Sequence, residues 1–211
     1  MPAADASLII DDFENGTIAL EATNAAPSAE LLNQATTSAI GGYRDTGVLL
    51  LSDYLSVRAN SNPIPGVIAF SSGSQSTGQF FLLYAGEDAL GLGGIDITEG
   101  GKNRQINVDF NSADLGADIG LILFNSLENL GEVSQILVGG PGIVSFKLSD
   151  FADQGIDLTT IDAIELVIFG DEDGDYTIDS IYATVPEPGT IAIWSLFGVG
   201  LAFYVRRQHK S

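Results

Sequence analysis

The chain has 211 residues and a net charge of −20, and residues 1–185 hold 27 Asp and Glu against 5 Lys and Arg. Nucleic-acid binding requires clustered Lys and Arg, so this acidic body excludes nucleic acid as a partner. The absence of cysteine excludes disulfides and thiolate chemistry. The only histidine, His209, lies in the C-terminal segment, which excludes catalytic triads and His-ligated zinc from the body.

Short apolar runs separated by Gly, Ser, Asn and Asp predict strands along the body. In QINVDF (105–110), Ile106, Val108 and Phe110 alternate with polar residues, as in a strand with one buried face. More continuous apolar runs are typical of central strands covered on both faces. About ten strands predict an all-β fold, a β-sandwich or jelly roll. The predicted strands lie within 7–13, 17–21, 48–58, 67–71, 79–85, 105–110, 119–124, 143–148, 163–169 and 176–184.

Three segments do not follow the strand pattern. SAELLNQA (28–35) is predicted to form a short helical turn. Residues 127–133 and 148–160 are interpreted as longer connections between strands.

The C-terminal segment differs from the body in composition. Residues 189–205 contain no charged residue, and Arg206, Arg207 and Lys210 follow them. An uncharged run of this length predicts a transmembrane helix, and the basic residues would stay on the cytoplasmic side. The acidic body is therefore predicted to lie outside the cytoplasm. It forms one predicted domain, residues 1–184, and residues 185–211 form the tail.

Pro186 and Pro188 flank Glu187 just before this apolar run. Proline fixes φ and pushes the preceding residue towards extended geometry, which predicts a stiff, accessible spacer at the membrane surface. Such a spacer suits recognition by a membrane-embedded processing enzyme. Alternatively, the prolines only end the last strand and begin a plain anchor.

The order of VPEP, apolar run and Arg-Arg resembles a PEP-CTERM sorting signal, with Pro186, Glu187 and Pro188 as the motif and Arg206, Arg207 and Lys210 as the basic cluster. The resemblance implies an exported protein of bacteria that also make exopolysaccharide. It further implies that an exosortase cleaves near the motif and that the body reaches the cell surface or the exterior.

An exported chain is expected to begin with a basic region followed by an apolar stretch. MPAADASLIIDDFENG has neither feature, so we interpret the start as that of a truncated, mis-started or trimmed chain.

The body has its own resemblance. LIIDDFENG, IGGYRDTGVLLL (40–51) and the segment 157–183 resemble the jelly-roll modules of carbohydrate-binding domains. The resemblance implies that the first and last strands lie side by side with a structural calcium between them. Asp11, Asp12, Glu14 and Asp179 are the implied calcium ligands.

DEDGD (171–175) is a second acidic cluster, in which Asp171, Asp173 and Asp175 occupy alternate positions as in the first half of a calcium loop. The loop motif fails at Tyr176 and at its last position, so a polar hairpin turn is the alternative.

Arg44 in GGYRD is expected to form a structural ion pair with Asp45 or with another carboxylate near a strand start.

Three functions are compatible with these features. The first is a non-catalytic surface or matrix protein associated with exopolysaccharide. The second is a carbohydrate-binding module, which usually presents exposed Trp or Tyr, although the only Trp, Trp194, lies in the tail. The third is a glycoside hydrolase or lyase with paired carboxylates, for which no two acids stand out in the sequence.

Overall fold

The structure is a computed structural model that describes residues 7–52, 55–60, 66–126 and 128–185. Within these ranges the chain forms thirteen strands, one short α-helix and two single-turn 3-10 helices. Their bounds are β1 (Leu8–Asp11), β2 (Ala19–Thr23), β3 (Ser28–Ala35), β4 (Tyr43–Leu50), β5 (Ser56–Asn60), β6 (Ile68–Ser72), β7 (Gly78–Tyr84), β8 (Gln105–Ala113), β9 (Ala117–Ser126), β10 (Asn129–Leu137), β11 (Gly142–Lys147), α1 (Leu148–Ala152), β12 (Ala163–Gly170) and β13 (Asp175–Thr184).

The strands form two antiparallel sheets packed as a sandwich, which confirms the all-β prediction. The seven-stranded sheet has the order β11-β8-β13-β6-β5-β2, with β1 also paired to β13. The six-stranded sheet has the order β10-β9-β12-β7-β4-β3. The pairing of β1 with β13 confirms the expectation that the first and last strands lie side by side.

Alternating side chains from both sheets fill the space between them. Ile106, Val108 and Phe110 of β8 are buried, as the alternation of QINVDF predicts. Phe70 of the seven-stranded sheet stacks on Phe80 of the six-stranded sheet at 5.5 Å between ring centroids. Such aromatic contacts add to the burial of apolar area that holds the two sheets together.

Two of the segments that broke the strand pattern are nevertheless strands. The predicted helical turn at 28–35 is wrong: this segment is β3, an edge strand paired with β4. Its Ala, Glu, Leu and Gln favour a helix in isolation, but the ladder to β4 overrides that weak preference. The connection predicted at 127–133 is also wrong, because β10 begins at Asn129 and pairs along β9.

The remaining connection, 148–160, contains α1, the one α-helix among the described residues. In α1, Leu148 and Phe151 are buried in the core. Among the described residues, no helix is long and apolar enough to cross a membrane. The predicted span at 189–205 lies outside the described residues.

Candidate functional site

The face of the six-stranded sheet that points away from the core carries both apolar and acidic side chains. On β7, inward Phe80 and Leu82 leave Phe81 and Leu83 on this opposite face, because side chains alternate along a strand. We call this surface the outer face. Its central side chains are Phe81, Leu83, Ile122, Phe124, Glu165 and Phe169.

The register of the sheet aligns these side chains in rows. Phe81 lies opposite Gly47 on one side and Val167 on the other. The ring of Phe81 covers Gly47, since a Cβ at that position would come within 2.2 Å of it. Phe169 of β12 is 45% exposed on the same face. The outer face therefore has flat aromatic surfaces that a ligand can contact.

A groove of about 400 Å³ continues from one end of the outer face. Its walls include Leu83 and Phe124 of the sheet and Leu90 of the loop that follows β7. This loop is held in place by backbone bonds, in which Gly91 N–H donates to Ala85 and Leu92 N–H donates to Asp162, both at 2.7 Å. The loop thus forms a fixed wall beside the sheet.

Two carboxylates, Glu165 and Asp162, also line this groove. Burial raises the pKa of Glu165, and the nearby carboxylate of Glu132 raises it further. Glu165 and Glu132 belong to one row of the sheet, with Ile122 between them. Half-buried carboxylates beside apolar side chains can accept hydrogen bonds from a ligand whose other face is apolar.

No sequence motif marks this surface. Glu165 is the one charged residue in AIELVIF (163–169), and a lone acid inside a central strand was the available signal. The partners of Glu165 come from strands distant in sequence, so their grouping depends on the sheet order.

Asp11, one of the predicted calcium ligands, is engaged by protein donors. Its Oδ2 accepts hydrogen bonds from Arg44 at 2.6 Å and from the Tyr84 hydroxyl at 3.1 Å. Its Oδ1 accepts the Phe13 N–H at 2.9 Å. The expected structural ion pair of Arg44 is thereby confirmed, with Asp11 as the partner, while Asp45 instead accepts the Asn33 N–H.

The other three predicted ligands of this site are more exposed than Asp11. Asp12 Oδ1 accepts the N–H of Glu14 at 3.2 Å, at the end of β1. Asp179 lies on the neighbouring strand β13, and its charge adds to burial in raising the pKa of Asp109. The assignment of Asp11, Asp12, Glu14 and Asp179 to a calcium ion remains a prediction, which the effect of a chelator on the melting temperature tests.

Asp171 and Asp173 lie in the turn between β12 and β13, and Asp175 begins β13. This is the position of the hairpin turn that was the alternative to a calcium loop. Asp173 Oδ1 accepts the Gln75 N–H at 3.2 Å, and the Asp175 N–H donates to Asp114 Oδ1 at 2.7 Å. Within the described ranges, no group of three or more Asp, Glu, His or Cys side chains is arranged to hold a metal ion. Calcium binding at this turn likewise stays a prediction.

The predicted processing residues Pro186, Glu187 and Pro188 and the basic residues Arg206, Arg207 and Lys210 lie outside the described residues. The sequence of residues 184–210 matches a family model, that of the PEP-CTERM protein-sorting motif. The PEP-CTERM match covers the proline pair, the apolar run and the basic cluster, and therefore supports the resemblance drawn from the sequence. No curated protein matches the chain.

Solved structures similar to the body include carbohydrate-binding modules. The family 11 module of the cellulosomal cellulase Lic26A-Cel5E of Clostridium thermocellum is 14% identical, with 87% of this chain matching 97% of that chain at a TM-score of 0.44. A family 11 module from the same organism, in complex with a β-1,3-1,4-mixed-linked tetrasaccharide, is 14% identical over 87% of this chain and 98% of that chain, also at 0.44. An exo-β-agarase is 14% identical, with 87% of this chain matching 25% of that chain at 0.47.

Proposed function

We propose that this chain is an exported, non-catalytic protein whose β-sandwich acts outside the cytoplasm and whose tail is a sorting signal read by an exosortase. The observation that carries the proposal is the PEP-CTERM match at residues 184–210. The arrangement of charge supports the same orientation, because the basic residues follow the apolar run and the acidic body precedes it. In this proposal the apolar run 189–205 holds the precursor in the inner membrane until it is processed.

The experiment that tests sorting is the intact mass of the protein recovered from the membrane and from outside the cell. The parent chain is expected outside the cell without the residues beyond about Pro188. Glu187→Ala is expected to stay full-length in the membrane fraction, because the motif is no longer recognised. Glu172→Ala, in the exposed β12–β13 turn, is the matched control and should be released normally. Normal release of Glu187→Ala would contradict the proposal.

A second proposed function for the exported body is the binding of a carbohydrate, such as exopolysaccharide, on the outer face. The exposed ring of Phe169 and the nearby Phe81 favour it, because aromatic side chains contact the apolar faces of ligands over a large area. Glu165 and Asp162 supply hydrogen-bond acceptors in the groove that continues from this face, where Leu83 and Phe124 are their apolar neighbours. Binding in the adjoining groove requires no bond to be broken, which agrees with a non-catalytic role.

Affinity electrophoresis through gels that contain neutral polysaccharides tests this second function. Phe169→Ala is expected to lose most of the retardation seen with the parent chain. Ile143→Ala is the matched control, because Ile143 is a similarly exposed apolar residue, at 54%, on the other sheet. Equal retardation of both variants would exclude the outer face as the binding surface. Hydrolysis of a polysaccharide that a single Asp or Glu substitution abolishes would contradict the non-catalytic role.

A further inference from the structure

The five cations of the acidic body are distributed unevenly. Across the part of the chain that the structure describes, the ion pairs are formed by Arg44 and Arg58 alone. The other three cations, Lys102, Arg104 and Lys147, are exposed. Although the body holds 27 acidic residues, these three cations have no ion-pair partner among the residues that the structure describes.

The fold brings these three cations to one end of the sandwich. Arg104 precedes β8, and its N–H donates to the carbonyl of Thr184, the last residue of β13, at 2.9 Å. The Arg104 carbonyl accepts the Leu148 N–H, also at 2.9 Å, which places Lys147 at the end of the adjacent strand β11. Lys102 belongs to the turn that leads into Arg104.

Arg104 and Lys147 line a groove of about 460 Å³ at this end. Its walls combine the two cations with polar side chains such as Gln105 and Ser149 and with apolar ones such as Leu158. Arg and Lys side chains are hydrogen-bond donors only, so the groove offers positive charge and donors together. An apolar wall beside these donors suits a ligand that has both a ring face and an anionic group.

We propose that this groove binds a saccharide that carries a carboxylate, with Arg104 and Lys147 holding the carboxylate and Leu158 contacting the sugar ring. An arginine side chain can bind a carboxylate through two parallel hydrogen bonds, which orients the ligand as well as attracting it. The site is separate from the outer face, and it does not depend on the sorting proposal.

The surroundings of the groove favour a discrete ligand over a bilayer. Glu99, Asp150 and Asp153 lie close in sequence to the residues that line it, and Glu99 and Asp153 are exposed. A flat anionic surface would approach these carboxylates, whereas a small ligand inside the groove contacts the two cations first. Because charges are screened over about 8 Å at physiological ionic strength, the remaining acidic surface does not prevent local binding.

Isothermal titration of the full-length chain in detergent with trigalacturonic acid, at physiological ionic strength, tests the proposal. The trimethyl ester of this trisaccharide is the matched neutral ligand. The acid is expected to bind and the ester to bind much more weakly. Arg104→Gln and Lys147→Gln should each weaken binding of the acid about tenfold, the effect of losing one charged hydrogen bond. Arg58→Gln is the matched control, because it removes one exposed cation elsewhere, and should retain the parent affinity.

Several results would overturn the proposal. One is the absence of measurable heat with the acid while circular dichroism shows that the protein is folded. Equal affinities for acid and ester, or equal losses in Arg58→Gln and Arg104→Gln, would show that the groove does not recognise the carboxylate. Glycerol 1-phosphate is titrated in parallel as a soluble lipid-headgroup probe. Binding of this probe without binding of the acid trisaccharide would assign the groove to a membrane headgroup instead.

Discussion

Asp11 of β1 and Arg44 of β4 form an ion pair at 2.6 Å in which both side chains are fully buried. Because β1 pairs into the seven-stranded sheet and β4 belongs to the six-stranded sheet, this contact joins the two layers. The Tyr84 hydroxyl bonds to the same Asp11 oxygen, and the Arg44 guanidinium lies 5.3 Å from the centre of the Phe13 ring. The pair and its neighbours thus hold the two sheets together at one end of the sandwich.

We predict that Arg44→Met is strongly destabilising. Burial raises the pKa of Asp11, and Arg44 opposes that rise. Removing Arg44 leaves a buried carboxylate without its partner, which typically costs about 3–5 kcal/mol. Denaturant unfolding of the two chains under the same conditions measures this loss in the free energy of unfolding.

The matched control for this prediction is Arg58→Met. Arg58 pairs with Glu21 at 2.7 Å, but its side chain is 62% exposed. Exposed pairs contribute about 0–1 kcal/mol, so this variant should unfold close to the parent. Similar losses in the free energy of unfolding of both variants would show that burial does not make the Asp11–Arg44 pair more important for stability than an exposed pair.

Alternation along a single strand can be read directly from the sequence, and the structure confirms it in two segments. QINVDF (105–110) lies within β8 and IVSFKL (143–148) contains most of β11, because alternation expresses which side of one strand is buried. SAELLNQA (28–35) consists largely of helix-forming residues, and only its pairing with β4 makes it a strand. Pairing partners are distant in sequence, so local propensity cannot identify them.

The same limit applies to the sites. Arg44 was expected to pair with a carboxylate, but Asp11 became its partner through the sheet packing. The groove at Arg104 and Lys147 arises because β8 and β11 are hydrogen-bonded neighbours. The PEP-CTERM tail was identifiable because its motif, apolar run and basic residues are consecutive in the chain.

We predict that Glu165→Gln makes the stability of the protein less dependent on pH. Burial, followed by the charge of Glu132, raises the pKa of Glu165 above its ordinary value of 4.5. The folded chain therefore holds this proton to a higher pH than the unfolded chain does, and stability falls as the pH rises through the folded pKa. Glutamine removes that loss, so the variant should melt higher than the parent at pH 7. The two should converge below pH 4.5, where Glu165 is protonated in both states.

Thermal melts between pH 4 and pH 7 measure this difference, and each kcal/mol corresponds to about 2–4 °C in a domain of this size. Glu172→Gln, in the exposed turn before β13, controls for the lower net charge of the variant. A constant difference in melting temperature between Glu165→Gln and the parent at every pH would contradict the role of burial. So would a melting temperature of Glu172→Gln that depends on pH in the same way as that of Glu165→Gln.

The free edge of β10 supports the last prediction. β10 ends the six-stranded sheet, and it exposes Ile136 and Leu130. The Gln154 side chain covers this edge at Glu132: its Nε2 donates to the Glu132 carbonyl at 2.9 Å, and its Oε1 accepts the Glu132 N–H at 3.1 Å. An uncovered, partly apolar edge strand is a template for pairing with another chain. We predict that Gln154 protects the strand against association.

Gln154→Ala is expected to lower the free energy of unfolding by about 0.5–1.5 kcal/mol and to make the protein associate. Sedimentation velocity of the full-length chain in detergent, over a series of protein concentrations, should show a species heavier than the parent that grows with concentration. Gln135→Ala changes an exposed glutamine on β10 itself, and its sedimentation should match that of the parent. If Gln154→Ala also sediments like the parent at every concentration, the Gln154 side chain stabilises β10 but does not prevent association. The freed backbone groups of Glu132 then bind water rather than a second strand.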